Sequence, residues 1–501
     1  MKKILVLLCV ATLSMGIYAQ RKDLCPPLRI EGVLKSNYES YTKGTPVLIT
    51  NVAKLNTRKT GNNGIYLATT IENMQIPIPS DKAAKLIEFH PKNKEEFWMC
   101  EYLKANMFEH YDNKGYQFAL RTELIEESDD YLDGLSDLFY KDDYIDDFVR
   151  SAFAAIAPQK LNNKRPEYAD IRIVQSPDPY TNMLADGTLL ISTGLLSTLD
   201  SVEELTAIIS SGIAHYVLDH PLINVSKEIS RARRAEFWGG FLVAVAGGVE
   251  MALTETNEHY IPGGILLTAG VADAALNYSA TKRLGMGYTD KQRKQADRIA
   301  VDFLKFAQID PAALTSALTK IRNYYQREYT YVDDERQNFG NLNKRLSNLS
   351  EGKEFNNRAY QRTMSGINTT NAIIQLNSRN YEAARRIAQK NISNKLASDE
   401  DYVVLIKSNM QLFNTPESNE KCLELIQKAK QISEIPNLEL YKQEILLLMR
   451  LNKQHQANDV VKEYVSLLSD FKENSSNSDD IDWAAEELQW ANKLHQQLGL
   501  F

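Results

Sequence analysis

Hydrophobic and polar positions change period along the chain, and the changes mark three regions. From Leu28 to about Ile125, short runs alternate or cluster β-branched and aromatic residues. They read L-R-I-E-G-V-L, T-P-V-L-I-T-N-V, G-I-Y-L-A-T-T-I and E-F-W-M-C-E-Y-L, with Gly61-Asn62-Asn63-Gly64 as a turn. Such runs predict a small β domain over residues 20–125, an SH3-like barrel or a sandwich. Phe97 and Trp98 are expected in its core rather than on a ligand. From Glu126 to Asp147 the chain is acidic and aromatic but lacks the D-x-D-x-D-G spacing of a calcium loop, which predicts a solvated helix face.

The middle region, residues 126–350, opens with an amphipathic helix over Ile145–Ala157 and a strand over Ile171–Val174. Within it, Phe237–Leu253 and Ile265–Ala275 are apolar, rich in Gly and Ala, and joined by a polar turn around Glu255–His259. Each is shorter than the roughly 20 residues a membrane crossing needs, so a buried hairpin is the first expectation and peripheral membrane contact the second. After a polar link from Asp333 to Asn357, residues 351–501 turn helical. A couplet recurs there as N-Y-E-A-A-R-R-I-A at Asn380, N-E-K-C-L-E-L-I at Asn419 and H-Q-A-N-D-V-V at His455. Its starts lie 39 and 36 residues apart, close to the ~34 of tetratricopeptide helix pairs, although the signature Trp, Gly and Pro positions are mostly unfilled. Stacked pairs of this kind offer surfaces to peptides or partner proteins.

Composition adds compartment and excludes a partner class. Met1 to Ala19 carries Lys2 and Lys3, an apolar stretch from Ile4 to Leu13 and a small residue at Ala19, the pattern of a cleaved secretory leader. Removing its two lysines takes the formal charge from −7 to −9, and an acidic exported chain without a basic run is a poor nucleic-acid binder. Periplasm, cell envelope and exterior all fit. Cys9 leaves with the leader, so Cys25, Cys100 and Cys422 remain. A Cys25–Cys100 bridge suits an oxidising compartment, with Cys422 a buried thiol.

The chemistry concentrates between Glu204 and His220, which reads E-L-T-A-I-I-S-S-G-I-A-H-Y-V-L-D-H. An H-E-x-x-H helix places two His one turn apart on zinc, with the Glu beside the first as general base. Here those places hold Ser211, Gly212 and His215. No His in the chain is followed by Glu, and no two His stand four apart.

The chain nevertheless resembles the gluzincin peptidases of family M48, the CAAX-prenyl-protease, HtpX and BepA-like group, over roughly residues 145–350. Asp186 to Leu196 (D-G-T-L-L-I-S-T-G-L-L) is similar to that family's edge strand and G-L-L turn, and Glu203-Glu204-Leu205 to the opening of its active-site helix. Tyr288 to Ala300 resembles the S-R-x-x-E-x-x-A-D segment, with Ala296-Asp297 matching A-D. Arg293 stands in the third ligand's place, and Asn341–Leu349 has no His where the family has His-Pro.

The resemblance implies an α+β, mainly α fold: a small N-terminal β domain, a gluzincin-like core and a helical-repeat solenoid. It does not carry the chemistry across. Ser211 is a poor ligand, Gly212 offers no base, and Arg293 is a permanent cation expected to form an i,i+4 ion pair with Asp297. No metal or other cofactor is expected, since His215 alone survives of the ligand set. A weak metal on His215 and Asp219, and a serine nucleophile at Ser210 or Ser211, are weaker alternatives to a buried His with a solvated Asp and to small polar replacements. Binding of polypeptide clients without cleavage is expected, along the strand Thr188, Leu189, Leu190, Ile191, Ser192 and Thr193, which as an exposed edge would accept an extended segment. The competing reading is a zinc metalloendopeptidase of family M48 with an atypical metal site.

Overall fold

The computed structural model describes residues 21–56, 63–72, 74–108, 115–161, 169–234, 284–328 and 339–499. The leader, Gly61-Asn62, both apolar stretches of the middle region and the start of the polar link lie outside the described residues. Among the described residues no helix is long and apolar enough to cross a membrane.

Three of the four sequence runs form strands where expected. Strands β1 (Arg21–Asp23), β2 (Ile30–Leu34), β3 (Pro46–Asn56), β4 (Asn63–Ile71), β5 (Met74–Pro79) and β6 (Ile87–His90) make an antiparallel sheet. Its order is β5-β4-β3-β2-β6, with β1 also on β3. The long β3 is the spine: its first residues pair with β2, its last with β1, and its other side with β4. Alternation works as read, with Ile30 and Leu34 buried and Glu31 exposed.

The fourth run, E-F-W-M-C-E-Y-L, is helical instead, as α1 (Lys94–Lys104). Asn93 caps it by accepting from Glu96 N, and the Glu96 carboxylate takes the Lys92 N–H at 2.8 Å. An apolar run buried on every side has no distinguishing period, so only that cap could have identified the helix. The expectation for Phe97 and Trp98 holds. Trp98 stacks on Phe303 at 5.2 Å between centroids and donates its indole N–H to Ile156 O at 2.7 Å. These rings fuse the β domain's core with that of the middle region into one cluster. The boundary expected at residue 125 falls inside a single helix, α2 (Gly115–Gly134).

The cysteine bridge is not formed. Cys25 and Cys100 are buried free thiols, as is Cys422. Cys25 Sγ contacts Asn51 Oδ1 at 3.3 Å while Cys100 lies within α1, and burial pushes both thiols up, Cys25 to about 11.

The middle region starts with α3 (Asp143–Ile156), capped by Asp142 and burying Ile145, Val149, Phe153 and Ile156 one turn apart. A three-stranded sheet follows, from β7 (Ile171–Val174), β8 (Thr181–Met183) and β9 (Leu189–Ser192), in the order β7-β9-β8. This overturns the expected edge strand. β9 runs parallel to β7 on one side and antiparallel to β8 on the other, and all four of its residues are fully buried. With both rows of backbone groups occupied, Thr188–Thr193 cannot take an added strand. A continuous apolar run, L-L-I, between two partners is the mark of a central strand.

Helices α4 (Thr193–Thr198), α5 (Val202–Val217), α6 (His220–Arg234), α7 (Asp290–Phe306), α8 (Ala312–Glu328) and α9 (Leu342–Leu346) pack around this sheet. Ser201 caps α5, whose residues from Glu204 to Val217 are all buried. Gly194 in the G-L-L turn has no room for a side chain: a Cβ there would lie 2.2 Å from Pro177 O.

Residues 358–498 form α10 (Arg358–Thr363), α11 (Ser365–Asn377), α12 (Tyr381–Ser393), α13 (Asp399–Leu412), α14 (Pro416–Ile432), α15 (Leu438–Arg450), α16 (Gln454–Asn474) and α17 (Ser478–Leu498). Each packs on the next, and the recurring couplets fall on α12, α14 and α16. A buried polar joint fastens this array to the G-L-L turn. Thr193 Oγ1 meets Asn371 Oδ1 at 2.7 Å, Ser197 donates to Asn368 Oδ1 at 2.6 Å, and Lys390 pairs with Asp200 at 2.8 Å.

Candidate functional site

The residues singled out on α5 and α7 do converge. Ser211, Gly212, His215 and Arg293 line one cavity of about 30 Å³, closed by β8 and β9 on one side and by Tyr288, Phe339 and Arg345 on the other. That volume holds one or two waters, not a peptide chain.

The residues at the positions of the resemblance each pack or bond within the fold. Gly212, in the general base's place, faces Leu189: a Cβ added there would lie 2.8 Å from Leu189 Cδ1. Leu189 fills the space that a longer side chain at this position would need. Ser211 donates to Asp297 Oδ1 at 3.1 Å, a carboxylate already held by Arg345, and Ser210 donates back along its own helix to Thr206 O at 2.7 Å, so neither serine is set against an imidazole base.

Asp297 is the site's buried carboxylate, but its ion pair is not the one expected. Arg345 takes both its oxygens, Nε to Oδ2 at 2.8 Å and Nη2 to Oδ1 at 2.5 Å, and donates Nη1 to Phe339 O at 3.0 Å. Arg293 turns away and donates Nη1 to Tyr288 O. Spacing alone suggested an i,i+4 bridge. The bidentate fork of a guanidinium arriving from another helix wins, because two charge-assisted bonds in a buried setting exceed one along a helix surface. Burial and the neighbouring Arg345 pull Arg293 down to about 10, which still leaves it a cation at neutral pH.

His215 is sandwiched. Tyr288 stacks on it at 3.7 Å between centroids and 26° between planes, and anchors its own hydroxyl on Met183 O at 2.9 Å. Burial raises the Tyr288 phenol well above its ordinary value. On the other side His215 Nδ1 meets His220 Nδ1 at 2.8 Å. Burial, then each other's charge and the two arginines, holds His215 far below the usual imidazole range, and burial takes His220 to about 3. Both rings are therefore neutral, one Nδ1 donating and the other accepting.

His220 reaches this position because α5 ends at Val217 and Asp219 takes a left-handed φ of 57° before α6 begins. The break also disposes of the His215–Asp219 metal pair. Asp219 is not on the same helical face and is not solvated; it is buried in an ion pair with Arg121 of α2.

A zinc ion does not fit these residues. Of the ligand set only one histidine is present, Asp297 is occupied by a guanidinium, and two arginines line the same 30 Å³. Among the described residues no three His, Cys, Asp or Glu side chains are grouped to hold a metal ion.

Sequence reasoning missed His220, Tyr288 and Arg345. The first two stood in plain view, one five residues after His215 and the other opening the quoted α7 segment. Arg345 lies within the very stretch, Asn341–Leu349, noted only for having no His. Residues 146–388 match the family model described as Peptidase family M48, extending past the boundary expected at 350 into α12. No curated protein matches the chain.

Proposed function

The chain carries a domain of peptidase family M48, and from that premise we propose that it is an exported pseudopeptidase that binds polypeptide clients without cleaving them, in chaperone, assembly or scaffold work. One observation carries the loss of chemistry: Asp297 is bound bidentately by Arg345, and Arg345 and Arg293 both line the cavity where a zinc ligand set would have to assemble. A divalent ion entering there would face two guanidiniums at short range and a single imidazole. The base that would take a proton from water is absent at Gly212.

The helical array α11–α17, read as tetratricopeptide-like pairs, supports the binding half of the proposal, since such stacks present extended surfaces to other chains. A second site on the same chain raises a client's effective concentration at the first. The pattern of Met1–Ala19 supports export, and the acidic balance argues against nucleic acid as the partner. The apolar stretches at 237–253 and 265–275 keep peripheral membrane contact as a subsidiary reading.

The family match itself favours a second reading, a zinc metalloendopeptidase with an atypical metal site. Elemental analysis of the purified mature protein separates the two, with unfolded casein as substrate with and without chelator. Less than a tenth of an equivalent of zinc (~0.1) and no chelator-sensitive cleavage are expected. Stoichiometric zinc with chelator-sensitive cleavage sinks the pseudopeptidase reading.

A further inference from the structure

On the face of α7 turned away from the cavity, Lys291, Lys294, Arg298 and Lys305 stand three, four and seven residues apart, one stripe along one side of the helix. All four are exposed, and none forms an ion pair among the described residues. They line a groove of about 970 Å³ between α7, the start of α8 and residues 345–350. Its carboxylates are already neutralised, Asp297 by Arg345 and Asp310 by Lys353. Val301, Pro311, Ala312 and Leu349 add apolar surface to the lining, beside the uncharged polar Gln295, Asn348 and Ser350. In a chain of net charge −7, four exposed cations without an ion pair among the described residues gather in this one groove.

We infer that this groove is a docking surface for an extended acidic polypeptide segment with interspersed apolar residues. The inference rests on the polypeptide-binding reading above and names where, and to what chemistry, that binding is directed. Lys291 to Lys305 spans about 21 Å at 1.5 Å per residue, the length of about six extended residues. Alternate side chains of an extended segment repeat at about 6.6 Å, which lets carboxylates meet the cations while the residues between them cover Val301 and Leu349. A free phosphate would fill a fraction of 970 Å³. A single nucleic-acid strand would gain its base stacking from aromatic side chains, and none of the groove's residues is aromatic. A bilayer requires a protruding apolar face, and this surface is concave.

The test uses the full mature chain and a short fluorescein-labelled peptide of alternating Glu and Leu, with Ser-Leu and Lys-Leu peptides as comparisons. Wild type is expected to bind the Glu-Leu peptide with an affinity that falls as salt rises. The triple reversal Lys291→Glu, Lys294→Glu, Arg298→Glu should weaken it at least ~10-fold with unchanged circular dichroism and a cooperative melt within a few degrees of wild type, whereas Lys43→Glu in the β domain should leave it unaltered. Binding that survives the triple reversal overturns the groove while leaving a polypeptide binder in place. The same holds if Ser-Leu binds as well as Glu-Leu, or if the reversal abolishes only association with phosphatidylglycerol vesicles. Failure of all three peptides to bind overturns the groove and removes support for the parent reading. Zinc-dependent cleavage overturns the parent reading alone, because it is scored by zinc content and casein digestion.

Discussion

The two sides of α7 have opposite characters. Its inner face closes a cavity of about 30 Å³ in which Ser211, His215 and Arg293 each have a polar partner; its outer face opens a groove of about 970 Å³ whose exposed cations form no ion pair among the described residues. Arg345 belongs to both, gripping Asp297 from the groove side and forming part of the cavity wall. The difference teaches where to look for function in a chain that keeps a catalytic fold. Internally paired polar groups report stability, and exposed charge without an ion pair does not.

The largest test of that division removes Arg345. Arg345→Met leaves the Asp297 carboxylate buried with only the Ser211 hydroxyl and should cost about 3–5 kcal/mol in urea unfolding, the penalty for breaking one side of a buried pair. Exchanging both partners, Asp297→Leu with Arg345→Met, should recover most of the loss. If the single variant is as stable as wild type, the cavity is not held by this pair, and the inner face loses its structural reading.

Acid should expose the cavity next. His220 titrates near 3 in the fold against about 6.5 unfolded, so between those values the unfolded chain holds a proton that the native chain lacks. Stability contributed by the neutral ring is complete above about pH 6.5 and declines as pH falls toward 3, at about 1.4 kcal/mol per pH unit. His220→Gln should flatten the acid limb of a stability–pH profile by that slope. An unchanged profile would mean the His215–His220 pair is already solvated.

A smaller effect probes the filled base position. Gly212→Ala gains about 1 kcal/mol of helix propensity but drives a Cβ to 2.8 Å from Leu189 Cδ1, an overpacking cost of about 1–3 kcal/mol. The net should be a loss of about 1 kcal/mol. In a Leu189→Ala background the sign should invert, since the methyl then enters vacated space. Destabilisation of equal size in both backgrounds would show that Leu189 is not what fills the site.

How much of this was legible in the sequence follows from which forces are local. β2, β3, β4 and β7 could be read because alternation and β-branching act within a few residues, and the loss of the zinc clamp could be read because ligand spacing on one helix is a sequence property. α1 was hidden by an apolar run with no period. β9 could not be identified as central, because strand neighbours are set by the whole sheet, although its unbroken L-L-I already hinted at two partners. Arg345 on Asp297 and Tyr288 on His215 join different helices or lie across a chain reversal, and no spacing rule reaches them. The Cys25–Cys100 bridge failed for the same reason, since proximity of two thiols is a tertiary fact.

The smallest stability effect is the most informative about function. Reversing Lys291, Lys294 and Arg298 should shift unfolding by no more than about 0.5 kcal/mol per site, because exposed charges without partners contribute little to the fold. Arg345, only part of a helix away in space but paired and buried, should cost several times more. A chain that tolerates three reversed charges on one face of α7, and not one neutral substitution reaching its other face, holds the groove for something other than folding. If the three reversals destabilise as much as Arg345→Met, those cations are structural after all, and the contrast between the two faces of α7 collapses.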